Sequence, residues 1–188
     1  MAGTILDEIL AHKAVEVEAR KARQSLAEIE RGIAGAPATR GFVRALQEAV
    51  QRGDAAVIAE VKKASPSKGV IRPDFQPVEI ARSYQAAGAS CLSVLTDEKY
   101  FQGSDSYLRE IKKSVELPLL RKEFIVDGYQ IAESRQIGAD CILLIVAALS
   151  PSALREFYLQ AQDIGLDVLI EVHDAAELDL ALSLEPGL

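Results

Sequence analysis

Apolar positions change their rhythm near residue 52. Before it, Ile5, Ile9, Leu10 and Ala14 recur at helical spacing and lead into a highly charged run over residues 16–23. A second short amphipathic stretch covers 25–31 and is broken by Gly32-Ile33-Ala34-Gly35-Ala36-Pro37. A third, 41–51, is expected to bury Phe42, Leu46 and Val50 and to stop at Gly53-Asp54. Beyond this point short runs rich in Val, Ile and Leu appear at 56–62, 90–95, 117–122, 140–146 and 167–172, as in strands buried on both faces. Amphipathic helical stretches separate or follow them at 77–87, 104–115, 127–137, 151–164 and 174–184.

Three helix-to-strand junctions repeat one phrase: Ala87-Gly88-Ala89-Ser90, Ile137-Gly138-Ala139-Asp140 and Ile164-Gly165-Leu166-Asp167. A glycine just past a helix end adopts the left-handed conformation cheaply before the chain enters a strand. Ser150-Pro151 marks a helix start, with serine as cap and proline at the first helical position. Strands alternating with helices imply right-handed βαβ units and a parallel sheet. An open doubly wound sheet and a closed (β/α)8 barrel both meet that description. No glycine-rich phosphate fingerprint follows the first strand, which disfavours a dinucleotide fold. Five strand–helix units are present, whereas a complete barrel takes roughly 250 residues.

Composition narrows the class. The 188 residues are 49% apolar and 26% charged, and no stretch approaches the roughly 20 uncharged apolar residues of a membrane span. The start, Met1-Ala2-Gly3-Thr4-Ile5-Leu6-Asp7-Glu8, lacks the basic head and apolar run of a secretory signal. With 28 acidic and 21 basic residues the net charge is −7, which argues against nucleic-acid binding by bulk electrostatics. Cys91 and Cys141 are too far apart in sequence for a CxxC motif and are expected to be small buried packing residues. No metal-ligand spacing is present. The expectation is a reduced, cytoplasmic, single-domain α/β protein, with 1–52 as a helical extension and 53–188 as the first five βα units of a barrel.

The charges at strand ends carry the candidate chemistry. Ala59-Glu60-Val61-Lys62 places opposite charges two residues apart, on one face of a strand. The third strand ends Leu120-Arg121-Lys122-Glu123-Phe124, and the fifth ends Ile170-Glu171-Val172-His173. Glu60, Lys62, Lys122 and Glu171 therefore all fall at C-terminal strand ends, the rim that carries catalysis in a barrel. Singly, each could be a charge leaving a strand for solvent. Together they are the usual equipment of general acid–base chemistry. The loop Lys63-Ala64-Ser65-Pro66-Ser67-Lys68-Gly69-Val70 reads as mobile, polar and suited to an anionic group. Tyr100 and Phe101 bring aromatics to the same rim, either as a wall for an apolar ring or as packing against a neighbouring loop. His173 reads as a loop or helix-start residue, and His12 as solvated on its helix.

Four segments together resemble the indole-3-glycerol-phosphate synthase family. They are Ile58-Ala59-Glu60-Val61-Lys62-Lys63-Ala64-Ser65-Pro66-Ser67-Lys68-Gly69, the stretch from Ser93-Val94-Leu95-Thr96-Asp97 through Tyr100-Phe101-Gln102-Gly103-Ser104, Leu120-Arg121-Lys122-Glu123-Phe124-Ile125-Val126-Asp127, and Leu169-Ile170-Glu171-Val172-His173-Asp174. The similarity runs over essentially the whole chain. It implies a (β/α)8 TIM-type barrel with an N-terminal helical extension. The implied reaction is a lyase step of tryptophan biosynthesis: ring closure, decarboxylation and dehydration of 1-(2-carboxyphenylamino)-1-deoxyribulose 5-phosphate, with no metal or organic cofactor. On the matching positions, Lys122 corresponds to the general acid on the substrate carbonyl. Lys62 corresponds to the lysine that meets the anthranilate carboxylate and assists protonation, and the two lysine roles are exchangeable. Glu60 and Glu171 correspond to the carboxylates for proton removal and electrostatic stabilisation. Ser65 corresponds to a serine near the phosphate and Phe101 to an aromatic of the pocket wall.

The family pattern continues with an asparagine- and arginine-bearing strand, a serine–glycine motif and a last glycine-rich phosphate loop, none of which is in this chain. The expectation is a synthase whose 188-residue chain alone is weakly active or inactive. Its partner is a small phosphorylated molecule, not nucleic acid or membrane. A full-length form is expected to be monomeric, and the shorter chain to be capable of self-association through an open strand edge. Two alternatives stand beside it: another phosphate-binding barrel isomerase or aldolase, and a non-catalytic half-barrel that assembles with a partner.

Overall fold

The computed structural model describes residues 4–188, so residues 1–3 of the N-terminal segment read above lie outside the described residues. In chain order the elements are α1 (Ile5–Arg23), α2 (Leu26–Ile33), α3 (Phe42–Gln51), β1 (Ile58–Val61), β2 (Ala64–Ser65), β3 (Gly69–Val70) and α4 (Pro77–Ala86). They continue with β4 (Cys91–Leu95), α5 (Glu98–Phe101), α6 (Asp105–Ser114), β5 (Leu119–Lys122), α7 (Gly128–Ile137) and β6 (Cys141–Ile145). A 3-10 turn (Val146–Ala148), α8 (Pro151–Asp163), β7 (Asp167–Glu171) and α9 (Ala175–Leu182) complete the described chain. The five strands read from the sequence and their intervening helices are all present. The fold is α/β of the (β/α)8-barrel class, with five βα units in this chain. No helix among the described residues is long and apolar enough to cross a membrane.

Two compact units make up the structure. One joins α1 and α2 to Phe124–Gln136 and Ile142–Leu188. Its N-terminal helices begin on sequence-encoded caps. Thr4 and Asp7 form a capping box, with the Asp7 backbone N–H donating to Thr4 Oγ1 at 3.2 Å and the Thr4 N–H to Asp7 Oδ2 at 2.7 Å. Ser25 and Glu28 do the same for α2. The buried face of α1 is Ile9, Lys13 and Val17, at steps of four, so the expected register needs correction. Ile5 is 55% exposed and Ala14 is exposed, while the buried Lys13 turns its ammonium onto Glu16 at 2.8 Å. Val17 and Ile29 pack with Tyr129 and Ala132 in a small core, and Arg20 reaches Glu133 at 2.9 Å. β6 neighbours β7 in this unit. Between them α8 starts as expected, with Ala153 N–H donating to Ser150 Oγ at 3.2 Å and Pro151 at the first position.

The other unit spans Thr39–Glu123 and Ile137–Cys141, and so holds α3 to α6 and β1 to β5. β1, β4 and β5 form a parallel ladder in that order, with Glu60 opposite Ser93, Ser93 opposite Leu120, and Leu95 opposite Lys122. α3 buries Phe42, Leu46 and Ala49. The expected burial of Val50 is wrong: it is 65% exposed. Positions 49 and 50 straddle the face set by Phe42 and Leu46, and the alanine, being smaller, takes the closer packing.

Gly88, Gly138 and Gly165, one at each repeated junction, have φ of +87°, +98° and +77°, the left-handed turn anticipated from the sequence. Two residues after Gly138 lies a fully buried carboxylate. Asp140 accepts from Arg40 N–H at 2.7 Å, from Leu119 N–H at 2.8 Å and from Lys112 Nζ at 2.7 and 2.6 Å. The Arg40 guanidinium donates to the carbonyls of Lys112, Val115 and Leu117, closing the C-terminal end of α6.

Candidate active site

The ladder register decides which strand-end charges share a face. Side chains at the same level in adjacent parallel strands point the same way, and the direction alternates along each strand. One face therefore carries Ile58 and Glu60 on β1, Cys91, Ser93 and Leu95 on β4, and Leu120 and Lys122 on β5. Continuing the register by one residue puts Lys62 level with Leu95 and hence with Lys122. The two lysines lie two strand spacings apart, roughly 10 Å between Cα atoms, which their side chains can close toward a common molecule. At the N-terminal end of the same face Cys91 Sγ donates to the Phe42 carbonyl of α3 at 3.5 Å, so both ends of the face have distinct occupants. The opposite face carries Leu92, Val94, Leu119 and Arg121 and meets α6, whose first residue Asp105 accepts from Arg121 Nη2 at 2.8 Å.

Glu60 and Lys62 form a short ion pair, each side chain about one-third exposed, so the lysine is held at the rim by its own strand. Lys122 is half-buried at the last position of β5. Glu171 occupies the matching last position of β7, in the other unit, with a side chain 33% exposed. Its carboxylate lies 3.6 Å from His173 Nε2, and the His173 backbone N–H donates to Glu177 at 2.7 Å, which gives His173 the helix-start role expected of it.

The loop after β1 is more ordered than its composition suggests. Ala64 and Ser65 pair antiparallel with Gly69 and Val70, so a small hairpin replaces the expected mobile loop. Lys63 C=O anchors its far side, accepting from Ile71 N–H at 2.8 Å and Arg72 N–H at 3.2 Å. Ser65 Oγ lies 3.5 Å from Ser67 Oγ near the hairpin tip, which clusters two hydroxyls. Phe101 ends the short helix α5 and is half-buried. Asp97 sets that helix, its Oδ1 accepting from Tyr100 N–H at 2.7 Å and Phe101 N–H at 3.2 Å. Tyr100 carries a cation–π contact from Lys99 at 4.9 Å.

Sequence reasoning missed the buried polar groups beneath this rim. Thr96, Asp97, Arg121 and Glu123 are almost fully buried, and the hydroxyl of Thr96 joins Arg121 to Glu123. The available signal was period two: Arg121 and Glu123 flank Lys122 and so share the opposite face. Gly103 was likewise overlooked. A Cβ there would lie 2.5 Å from the Leu95 carbonyl oxygen, so only glycine lets the loop return this close to β4. No cluster of three or more His, Cys, Asp or Glu side chains is arranged for a metal among the described residues.

The family model described as indole-3-glycerol phosphate synthase matches residues 6–188. The chain belongs to this family. Among solved structures it is similar to a mandelate oxidase, at 13% identity and TM-score 0.54, over 76% of this chain and 50% of that one. It is also similar to tryptophan synthase subunit alpha from Legionella pneumophila, at 14% identity and TM-score 0.53, over 77% of this chain and 63% of that one. A Schiff base forming fructose-1,6-bisphosphate aldolase matches at 14% identity and TM-score 0.50, over 71% of this chain and 62% of that one. At such identities the likeness is one of fold alone. The chain spans between half and about two-thirds of the length of these structures.

Proposed function

We propose that the protein is a cytoplasmic, cofactor-independent carboxy-lyase that converts 1-(2-carboxyphenylamino)-1-deoxyribulose 5-phosphate to indole-3-glycerol phosphate. The observation that carries this reading is the level shared by Lys62 and Lys122 on one face of the ladder, with Glu60 one pleat below. Ring closure joins the carboxylate-bearing aromatic carbon to the ribulose carbonyl carbon, whose oxygen gains negative charge. A lysine ammonium beside that oxygen stabilises the charge and delivers the proton, and Lys122 takes this role. Carbon dioxide then leaves and the ring regains its electrons. The remaining hydroxyl departs as water when a second acid protonates it and a base removes a proton from the ring system. Lys62, oriented by Glu60, supplies the acid, and a carboxylate supplies the base. Lys62 also meets the anthranilate carboxylate. The hydroxyls of Ser65 and Ser67 suit the phosphate, and Phe101 suits the anthranilate ring.

Binding and chemistry are measured separately. Titration with substrate, followed by mass-spectrometric detection of indole-3-glycerol phosphate and released carbon dioxide, tests the proposal. Lys122→Met is expected to reduce turnover roughly 10²- to 10³-fold, as loss of one donor to a developing oxyanion does. If the chain neither binds the substrate nor forms the product, the proposal is wrong.

A further inference from the structure

Thr96, the residue that follows β4, has a role that goes beyond the rim charges. Its backbone N–H donates to the Lys122 carbonyl at 3.1 Å. Its hydroxyl accepts from Arg121 Nε at 3.3 Å and donates to Glu123 Oε2 at 3.0 Å. One residue thus engages three consecutive positions, 121, 122 and 123, from the strand next door. Arg121 is itself anchored, its Nη2 donating to Asp105 Oδ1 at 2.8 Å on the first turn of α6. Thr96, Arg121 and Glu123 are 0%, 0% and 2% exposed, so these bonds are shielded from competing water. Arg121 and Glu123 lie on the face opposite Lys122, and fixing both of them fixes the direction in which Lys122 leaves the strand.

We infer that Thr96 is a positioning residue for Lys122, holding the backbone that aims its ammonium through the Arg121–Thr96–Glu123 bridge. The inference rests on the proposed acid role of Lys122. A catalytic group displaced by about 1 Å loses on the order of 10²-fold in rate, while substrate contacts made elsewhere are unchanged. Loss of the hydroxyl should therefore lower kcat and leave KM nearly unaltered.

The experiment compares Thr96→Val, which removes the hydroxyl at constant shape, with Thr96→Ser, which retains it. Each is made in the parent and in Lys122→Met. Thr96→Val is expected to reduce kcat by about 10- to 100-fold with KM within about 3-fold, and Thr96→Ser to restore most of the rate. In the Lys122→Met background the valine is expected to add nothing further, because the group it positions is gone. Asp105→Asn, which weakens the outer anchor of Arg121 at a partly exposed site, is expected to act in the same direction and more weakly, and serves if the valine variant does not fold. A second readout is independent of turnover. Lysines are reductively methylated with carbon-13, and the Lys122 signal is identified by its loss in Lys122→Met. Thr96→Val is expected to shift that signal toward the position of freely moving lysines, and Thr96→Ser is not. A shifted signal with neither substrate binding nor product formation in any protein would support the positioning role and sink the proposed reaction. An unshifted signal, or equal rate losses in both backgrounds, would overturn the positioning role and leave the reaction standing.

Discussion

Asp140 offers the sharpest test of how the strand-bearing unit is held together. Its buried carboxylate accepts two backbone N–H groups, from Arg40 and Leu119, and both oxygens also accept from Lys112. Asparagine has the same shape but one acceptor oxygen. Its amide nitrogen must face either the Arg40 N–H or the Leu119 N–H, and two donors then oppose each other in a dry site. An unpaired buried donor costs about 1–3 kcal/mol. Lys112 also loses its counter-charge, although its side chain is 23% exposed and can turn to water, which keeps that part small. The sum for Asp140→Asn is about 3 kcal/mol, near the lower end of the roughly 3–5 kcal/mol for breaking a buried pair. For a chain of this length 1 kcal/mol moves Tm by roughly 2–4 °C, so the melt should fall by about 6–12 °C. Asp54→Asn is the control, since Asp54 and Arg52 form a pair about 60% exposed on both sides and its loss should fall within about 0.5 kcal/mol. Urea and thermal unfolding followed by circular dichroism measure both. An Asp140→Asn protein within about 1 kcal/mol of the parent would refute the reasoning.

Three further outcomes are expected. Gly103→Ala forces a Cβ to within 2.5–2.8 Å of backbone atoms of Leu95 and Thr96, so it should cost about 1–3 kcal/mol in thermal melts; an unchanged Tm would contradict the close approach. Burial pushes the Glu16 carboxyl up, but the hydrogen bond and charge of Lys13, with the charge and hydrogen bond of Arg20, outweigh it and hold the group below the ordinary value. A depressed carboxylate contributes stability that is fully present above its unfolded pKa, near about 4.3, and is lost as pH falls through the folded value. Glu16→Gln should therefore melt earlier than the parent at neutral pH, and the two Tm curves should converge in acid; parallel curves down to pH 3 would count against this. Ser150→Ala removes the cap that accepts from Ala153 and should cost about 1 kcal/mol in denaturant unfolding, while Ser150→Asp should be nearly neutral.

Much of this protein could be read from its letters, for identifiable reasons. The alternation of strand and helix is local, written in runs such as Cys141-Ile142-Leu143-Leu144-Ile145, and each junction glycine adopts the expected positive φ. The rim charges were visible because a charge that closes an apolar run has few places to go. What escaped depends on partners far along the chain. Nothing near Thr96 announces that it bridges residues 121 and 123, and the Asp140 carboxylate meets Arg40 from 100 positions away. Lys13 drew no notice in the sequence, yet its stem lies on the buried stripe while its head turns to Glu16. The β2–β3 hairpin was missed because two-residue strands carry no periodicity to detect. The identity of each strand-end residue was thus legible, whereas the face shared by Glu60, Lys62 and Lys122 emerged only from the ladder register.

The first three helices look in sequence like one appendage, but they divide their loyalties. α1 and α2 pack within the unit that contains α7 and β7, whereas α3 belongs with β1, β4 and β5. The seam falls in Gly35-Ala36-Pro37-Ala38, just ahead of Arg40 and its three carbonyl partners. Anyone dissecting this protein should cut there. A truncation at residue 52 discards the Phe42 side chain and the Arg40 clasp, and with them the floor under Cys91, whereas one at the seam leaves that floor intact.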